Sequence, residues 1–250
     1  MLETIRKNWT CYLLEGFGLA TFVFFAGLFS TLLLYPRSPL ARMDPAAKNL
    51  LMALLMFLVV AWGIAGAPWM KRTGAHINPS VTLAFLCLGK ISPIDATFYS
   101  IAQFGGAFLG VALTRLVAGE AFAHPAVGYA ATVPGIAGPF GAFAVEFVIT
   151  FVLVLVVLDI ASQENLRKWA HLAVAGLISF YLVVATPFSG MSMNPARSAG
   201  SSLFSGKYDA LWIYFAAPLS AALLAAELYR TMLPGRLTGP NYPTEGRKHS

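Results

Sequence analysis

The sequence predicts an all-α membrane protein with six transmembrane helices and two re-entrant half-helices, arranged as an inverted repeat of three plus three spans. The first supporting observation is composition. Of the 250 residues, 58% are hydrophobic and only 11% are charged, whereas about 25% of the residues of soluble domains are charged. The second is a set of six long apolar runs, and the third is a short motif that occurs once in each half of the chain.

The composition also limits the classes of function. The chain has 17 Lys and Arg residues against 11 Asp and Glu residues, a net charge of +6. In a soluble protein this excess would suggest nucleic acid, but in so apolar a chain a positive cytoplasmic membrane face explains it better. We therefore expect a lipid bilayer around the protein and no nucleic-acid partner. Cys11 and Cys87 match neither a disulfide framework nor a metal spacing. We interpret both as core residues, and we expect no metal and no cofactor.

Six apolar runs are long enough to cross a bilayer, which requires about 20 residues. They cover residues 11–34, 49–69, 95–117, 139–160, 169–188 and 209–230. The chain start has neither the basic region nor the cleavage site of a signal peptide, so we interpret the first run as a retained helix. Lys and Arg concentrate in the loops of one side, which predicts cytoplasmic N- and C-termini. We expect an integral plasma membrane protein, specifically of a bacterial inner membrane.

Two further apolar stretches, 73–89 and 189–206, are too short to span. Irregular backbone at membrane depth survives only where it is buried in protein or lines a wet cavity. The two stretches align without a gap, as TGAHINPSVT from Thr73 and SGMSMNPARS from Ser189. Each half also carries one glutamate in its first span, Glu15 and Glu146. With three spans per half, the second half is inverted relative to the first.

The repeat defines the domain organisation. We expect one channel domain over residues 1–231, with a first half over 8–117 and a second half over 139–231. The tail over 232–250 is rich in Pro, Gly and polar residues, so we expect a disordered cytoplasmic segment there.

The Asn-Pro pair of each motif predicts the start of a short helix, because Asn is a preferred N-cap and Pro a preferred first residue. Helices that start at Pro79 and Pro195 and enter from opposite faces would meet by their N-termini near the midplane. There, unsatisfied N–H groups carry a partial positive charge. Each Asn side-chain oxygen would face its own helix. The amide N–H groups of Asn78 and Asn194 would then be free to donate into the space between the helices.

The pattern resembles the aquaporin family, also called the major intrinsic proteins, over about residues 8–231. The resemblance is carried by Asn78-Pro79-Ser80, Asn194-Pro195-Ala196-Arg197-Ser198, Glu15, Glu146 and Gln103-Phe104-Gly105-Gly106. It implies a homotetramer with one pore per subunit. In that pore the amides of Asn78 and Asn194 would orient water so that protons do not pass along the file. It also implies that Glu15 and Glu146 accept hydrogen bonds from buried backbone of the re-entrant loops.

The resemblance further implies an outer constriction whose wall is formed by Phe57, Leu182, Met191 and Arg197. The placement of Phe57 requires a one-residue insertion in the loop over 69–73. Water-selective members usually have Phe, His, a small residue and Arg at these positions, so Leu182 and Met191 make this wall less polar. Ser80 replaces the usual Ala, a variant that occurs in some members that pass boric acid or related metalloid acids.

We therefore expect a passive channel that conducts water and excludes protons and ions. The alternative is a facilitator of small neutral solutes such as glycerol, boric or other metalloid acids, or ammonia. His76 lies two residues before the first Asn, and we interpret it as a buried histidine that packs the loop.

Other classes of function fit less well. A rhomboid-like protease would need Gly-x-Ser-Gly followed by a membrane histidine, whereas the only histidine after Ser189 is His249 in the tail. A proton-coupled carrier would need ionisable groups along the path, and Arg197 alone is a poor relay. We therefore do not expect an enzyme. A structural junction protein of the same fold stays open, because a sequence does not show whether a pore is open.

Overall fold

The structure, a computed structural model, describes residues 2–233, and every regular element in that range is helical. We call the six long helices the first to sixth spans: Leu2–Leu34, Pro45–Leu58, Pro93–Ala118, Gly138–Ser162, Ala170–Val184 and Ile213–Met232. The helices Pro79–Cys87 and Pro195–Ser205 are the first and second half-helices. From residue 234 onward, the tail that the sequence predicts to be disordered lies outside the described residues.

Short helical turns fill most of the connections. They are Pro39–Arg42, Pro68–Arg72, Glu120–Ala123, Gly128–Ala130, Glu164–Arg167 and Thr186–Ser189. The predicted all-helical fold of six spans and two half-helices is confirmed, although several ends differ from the apolar runs. Among the described residues, four helices are long and apolar enough to cross a membrane, by length and composition only: Leu2–Leu34, Pro45–Ile64, Pro93–Ala118 and Gly138–Ser162. The fifth span is shorter, with 15 residues, and the sixth ends in a turn that carries charge.

Local sequence explains where the helices begin. The Asp44 side chain accepts a hydrogen bond from the backbone N–H of Ala46 at 2.9 Å, and Pro45 is the first residue of the second span. The Ser92 hydroxyl accepts from the backbone N–H of Asp95 at 3.1 Å, just ahead of the third span. In both cases a polar N-cap satisfies a helix N–H group that has no partner inside the helix.

The second span continues into a π-helical segment, Val59–Ile64, in which the backbone N–H of Ala65 donates to the carbonyl of Val60 at 2.8 Å. A π-turn contains one more residue than an α-turn. The span therefore accommodates an extra residue shortly after Phe57, ahead of the loop over 69–73 where the sequence placed the insertion.

The two halves pack alike, with the first span against the third and the fourth against the sixth. Glycines allow the first contact. A Cβ atom on Gly106 would overlap the backbone of Gly16, and one on Gly110 would lie 2.6 Å from the carbonyl oxygen of Ala20. In the sixth span, fully buried alanines such as Ala221 provide a small surface.

The two cysteines differ in exposure. Cys11 is buried in the first span, as predicted. Cys87 is exposed, so its predicted place in the core is wrong. It is the last residue of the first half-helix, and its side chain is exposed although the neighbouring Leu86 and Leu88 pack against the core.

Candidate pore site

The two asparagines cap the two half-helices. The side-chain oxygen of Asn78 accepts from the backbone N–H of Ser80 at 2.8 Å. That of Asn194 accepts from the backbone N–H groups of Ala196 and Arg197 at 3.1 and 3.2 Å. Each cap leaves the amide nitrogen of the same side chain directed away from its own helix.

These amide nitrogens connect the two halves. Asn78 Nδ2 donates to the carbonyl of Met193 at 2.8 Å, and Asn194 Nδ2 donates to the carbonyl of Ile77 at 2.8 Å. Each asparagine therefore holds the residue that precedes the other one, and the two half-helices meet by their N-termini. An amide nitrogen carries two hydrogens. Within residues 2–233, the second hydrogen of each amide has no protein acceptor.

Glu15 holds the first re-entrant loop. One carboxylate oxygen accepts from the backbone N–H of His76 at 3.0 Å, and the other accepts from that of Ile77 at 2.6 Å. The amide of Gln103 donates to the same carboxylate at 2.9 Å. Glu15 is completely buried, so these three donors compensate part of the cost of placing a carboxylate inside the bundle.

Glu146 makes the equivalent contacts in the second half. It accepts from the backbone N–H groups of Ser192 and Met193 at 2.9 and 2.7 Å. Its third donor is the hydroxyl of Ser189 at 2.7 Å. Glu146 is also completely buried. The two glutamates thus bind the two backbone groups that directly precede each asparagine.

The loops need this support because their backbone is strained. Ala75 and Ile77 have φ values of 52° and 42°, and the corresponding Met191 and Met193 have 49° and 57°. The left-handed region costs a residue with a Cβ atom roughly 1–2 kcal/mol. In this conformation, the successive N–H groups before each asparagine point toward the glutamate.

Two buried tyrosines, whose role was not predicted from the sequence, hold the first residue of each loop. Tyr99 donates its hydroxyl to the carbonyl of Thr73 at 3.1 Å, and Tyr214 donates to the carbonyl of Ser189 at 2.7 Å. Two features of the sequence could have indicated this contact: a tyrosine in the last span of each half, and a hydroxyl residue at the first position of each motif.

His76 is a buried packing residue of the first loop. Its Nδ1 lies 3.2 Å from the hydroxyl of Thr82, and its ring stacks on Phe85 at a centroid distance of 4.5 Å. In the second half, the corresponding hydroxyls of Ser192 and Ser198 lie 2.6 Å apart.

A cavity of about 520 Å³ reaches from one end of the bundle to the two asparagines. Most of its wall is apolar and comes from the first, second, fourth and fifth spans: Leu19, Phe22, Val60, Leu153, Val157, Val174 and Ile178. Asn78 and Asn194 line it, as do His76 and Met193. Polar side chains therefore line the cavity where the two half-helices meet, and the charged Lys71, Arg167 and Lys168 line it as well.

The residues predicted for the outer constriction lie outside this cavity. Met191 is buried in an apolar cluster, and Phe57 and Leu182 pack against that cluster. Arg197 follows Asn194 by three residues on the second half-helix. Its Nη1 atom is buried without a hydrogen-bond partner within residues 2–233.

The remaining motif residues are part of the half-helix starts. Pro79 and Pro195 are buried first residues of their helices, and Ala196 is fully buried. Ser80 is also fully buried, and its hydroxyl has no hydrogen-bond partner among the described residues.

Comparisons with known proteins identify a family for this architecture. Residues 4–229 match the model of the major intrinsic proteins. Over 191 residues the chain is 38% identical to "Aquaporin NIP1-4" of Oryza sativa subsp. japonica, a match that covers 73% of this chain and 66% of that protein, just under two thirds. Over 225 residues it is 34% identical to "Probable aquaporin TIP2-2" of the same plant, with 88% and 85% covered.

A solved structure shares the fold. The aquaglyceroporin from Plasmodium falciparum superposes with a TM-score of 0.72 at 20% sequence identity, over 91% of this chain and 98% of that one. The two relatives above are plant proteins, so they give no support to the bacterial inner membrane that the sequence suggested. Together with the apolar helices, the family model and the two aquaporin relatives identify a family of membrane channels. The chain belongs to the major intrinsic protein family, the family of the aquaporins.

Proposed function

We propose that this protein is a passive channel that conducts water along an osmotic gradient and excludes protons and ions. The observation that carries the proposal is the pair of asparagines at the end of the cavity. Each amide uses one hydrogen for the opposite loop and retains a second one. A water molecule that accepts from both of these hydrogens has its own hydrogens directed along the pore, away from the midplane.

This orientation supports proton exclusion. A water molecule whose lone pairs are occupied by Asn78 and Asn194 cannot accept a proton from its neighbour in the file. Each half-helix N-terminus also carries a partial positive charge of about half a unit, which raises the energy of any cation there.

The outer side of the pore determines selectivity in this proposal. Arg197 donates to the permeant and repels cations, and its buried Nη1 atom without a protein partner supports this role. Phe57, Leu182 and Met191 form the rest of the wall, and their shared apolar cluster supports that arrangement.

Passage of small neutral solutes is the second candidate function. It is favoured by the apolar side chains of Leu182 and Met191. It is also favoured by the buried hydroxyl of Ser80, which replaces the usual alanine and has no partner in the described chain. Glycerol, boric or other metalloid acids and ammonia are the solutes to test.

The proposal includes the surroundings of the channel. We place both termini in the cytoplasm, since Lys and Arg concentrate on that side, and the protein in a plasma membrane. Large exposed apolar residues such as Leu116 and Phe140 cover the outside of the single chain. They suit contacts with lipid and with the other subunits of a homotetramer.

Stopped-flow light scattering on proteoliposomes tests the function. An impermeant osmolyte is applied first, followed by glycerol and boric acid, with empty liposomes as the control. Fast shrinkage without reswelling in either solute is the expected result for a water channel. Reswelling would assign the protein to the second candidate function, and shrinkage no faster than that of empty liposomes would reject both.

A double variant tests the outer wall. Leu182→His with Met191→Thr introduces the polar and small side chains of the usual water-selective wall and should improve the selectivity for water over solutes. The matched control is Leu109→His with Leu113→Thr on the exposed outer surface of the third span. An unchanged ratio of water to solute permeability would contradict the placement of Leu182 and Met191.

A further inference from the structure

The end of the cavity opposite the asparagines is lined by cationic side chains. Lys71 follows the second span in the turn Pro68–Arg72, and Arg167 and Lys168 lie in the connection between the fourth and fifth spans. All three line the cavity, together with His171 at the start of the fifth span. Two segments that are far apart in sequence therefore contribute positive charge to one cavity wall.

The cavity wall, taken over residues 2–233, contains no Asp and no Glu. The ion pairs of the described chain join Arg115 to Glu120 and Arg230 to Glu227, so none of them involves Lys71, Arg167 or Lys168. The excess of Lys and Arg on one side of the membrane explains why these loops carry positive charge. It does not explain why three of the cations share one cavity wall that no carboxylate lines.

The inner end of the same cavity is positive as well. The N-termini of both half-helices face it, because Asn78 and Asn194 line the cavity. Each N-terminus contributes a partial positive charge of about half a unit. A cleft with walls of one sign and a low-dielectric surround focuses the field and concentrates counter-ions. This cavity is therefore positive at both of its ends, which favours the entry of anions.

We propose that this vestibule, defined by Lys71, Arg167, Lys168 and His171, binds phosphate-bearing anions and that an occupant obstructs the channel. Phosphate oxygens accept charge-assisted hydrogen bonds from Lys and Arg, and Arg contacts them through two parallel N–H groups. An anion held by both segments lies across the path to the asparagines and blocks it. The obstruction depends on the proposed channel function, whereas the binding does not.

A polyvalent anion suits the site better than chloride. Three cations from two segments present several separate donors, which one compact monovalent ion does not satisfy. The shared chemistry is a phosphate group carried either by a soluble anion or by an anionic lipid headgroup. We use inorganic pyrophosphate as the soluble probe and phosphatidic acid as the lipid probe.

Isothermal titration of the purified protein in neutral detergent with pyrophosphate measures the binding without any flux. We expect saturable binding that weakens as the ionic strength is raised. Arg167→Gln with Lys168→Gln should weaken it about tenfold or more, the equivalent of losing one hydrogen bond between charged groups. The matched control is Arg6→Gln with Lys7→Gln, two cations at the same end of the bundle that do not line the cavity.

Flux measurements test the obstruction and identify the source of the phosphate group. The first set of vesicles is made of phosphatidylcholine and contains pyrophosphate in the solution that faces the vestibule. The second set contains phosphatidic acid in its membrane and no pyrophosphate. Slower water flux in the first set identifies a soluble anion, and slower flux in the second set identifies a lipid. In both sets, Arg167→Gln with Lys168→Gln should restore the flux.

Two results would overturn the proposal. Equal pyrophosphate binding by the wild type and by the double variant of Arg167 and Lys168 would show that the proposed anion site does not exist. Normal water flux that neither probe slows would show that an occupant does not obstruct the channel, while the proposed channel function would stand. If the wild type conducts no water, the channel function fails, while the titration still decides whether the anion site exists.

Discussion

The first re-entrant loop, 73–78, and the second, 189–194, are held by the same set of contacts at corresponding positions. In each loop a glutamate binds two backbone N–H groups, a tyrosine binds the first carbonyl, and the asparagine donates to the opposite loop. The sequences between these fixed points differ, with Ala75 and His76 in the first loop and Met191 and Ser192 in the second. The comparison shows which interactions both loops share, and at which positions their side chains differ.

The largest difference lies just after the asparagines. Arg197 on the second half-helix corresponds to Val81 on the first, so the only charged side chain of the two half-helices belongs to the second half. A second difference is the extra support of each loop. Gln103 of the third span donates to both Glu15 and Thr82, whereas Thr132 of the connecting loop contacts Ser198 at 2.7 Å. The symmetric contacts therefore build the pore, and the asymmetric ones distinguish its two sides.

Removal of either glutamate should have the largest effect. Glu15→Ala leaves the buried backbone N–H groups of His76 and Ile77 without an acceptor, and Glu146→Ala does the same to those of Ser192 and Met193. At roughly 1–3 kcal/mol per unsatisfied group, each variant should lose about 3 kcal/mol or more of stability. Both should melt at a much lower temperature in detergent and lose water flux, as measured by intrinsic tryptophan fluorescence and stopped-flow scattering. The surface variant Glu227→Ala serves as the control. A clear loss in only one of the two glutamate variants would contradict the equivalence of the loops.

The contact between the first and third spans should be the next most sensitive feature. A Cβ atom on Gly106 would overlap the backbone of Gly16, so Gly106→Ala should destabilise the protein by about 1–3 kcal/mol. Gly105→Ala is the matched control on the same helix, because a Cβ atom there has no neighbour within 4 Å. It should be neutral or slightly stabilising, since alanine is the better helix former. Equal melting temperatures for the two variants would contradict the close approach of the spans.

Arg197→Val makes the second half-helix match the first at this position and tests the main asymmetry. Loss of the charge should raise the leak of protons or other cations, and a barrier reduced by only about 1.4 kcal/mol raises a rate about tenfold. The leak is measured with a pH-sensitive dye inside proteoliposomes under an applied potential. The control is Arg115→Val at the far end of the third span. An unchanged leak would place the cation barrier elsewhere in the pore.

Much of the symmetric part could be predicted from the sequence, because it is encoded in the repeated residues themselves. Asn78 and Asn194 with their prolines specify helix starts, and a lone glutamate in the first span of each half needs buried donors. The π-helical segment at Val59–Ile64 was not predicted, since no residue in it favours a π-turn over an α-turn. It is visible in the backbone hydrogen bonds of the folded chain, such as the one from Ala65 to Val60.

The asymmetric contacts were not predictable for a different reason. Thr132 lies in a loop with no periodicity, and its contact with Ser198 depends on how that loop folds over the second half-helix. The exposure of Cys87 likewise depends on where a half-helix ends relative to the bundle, which an apolar run in the sequence does not reveal. The three cations of the vestibule, Lys71, Arg167 and Lys168, come together only in the folded chain.

The smallest expected effect concerns the link between the connecting loop and the second half-helix. Thr132 and Ser198 are both buried, and Ser198 contacts Ser192 at 2.6 Å in addition to Thr132. Thr132→Val keeps the shape of the side chain and removes its hydroxyl, while Ser198 keeps its second partner. The cost should therefore be about 1 kcal/mol, the net value of one hydrogen bond.

This small change separates the two loops, because within residues 2–233 the first loop has no equivalent hydrogen bond with the connecting segment. Hydrogen exchange measured by mass spectrometry should become faster in peptides that cover 189–198 and stay unchanged in those that cover 73–82. Thr132→Ser retains the hydroxyl and should restore the slow exchange, which distinguishes loss of the hydrogen bond from loss of packing. Equal acceleration in both loops would mean that the halves unfold together. The asymmetric contact would then have no separate role in holding the second side of the pore.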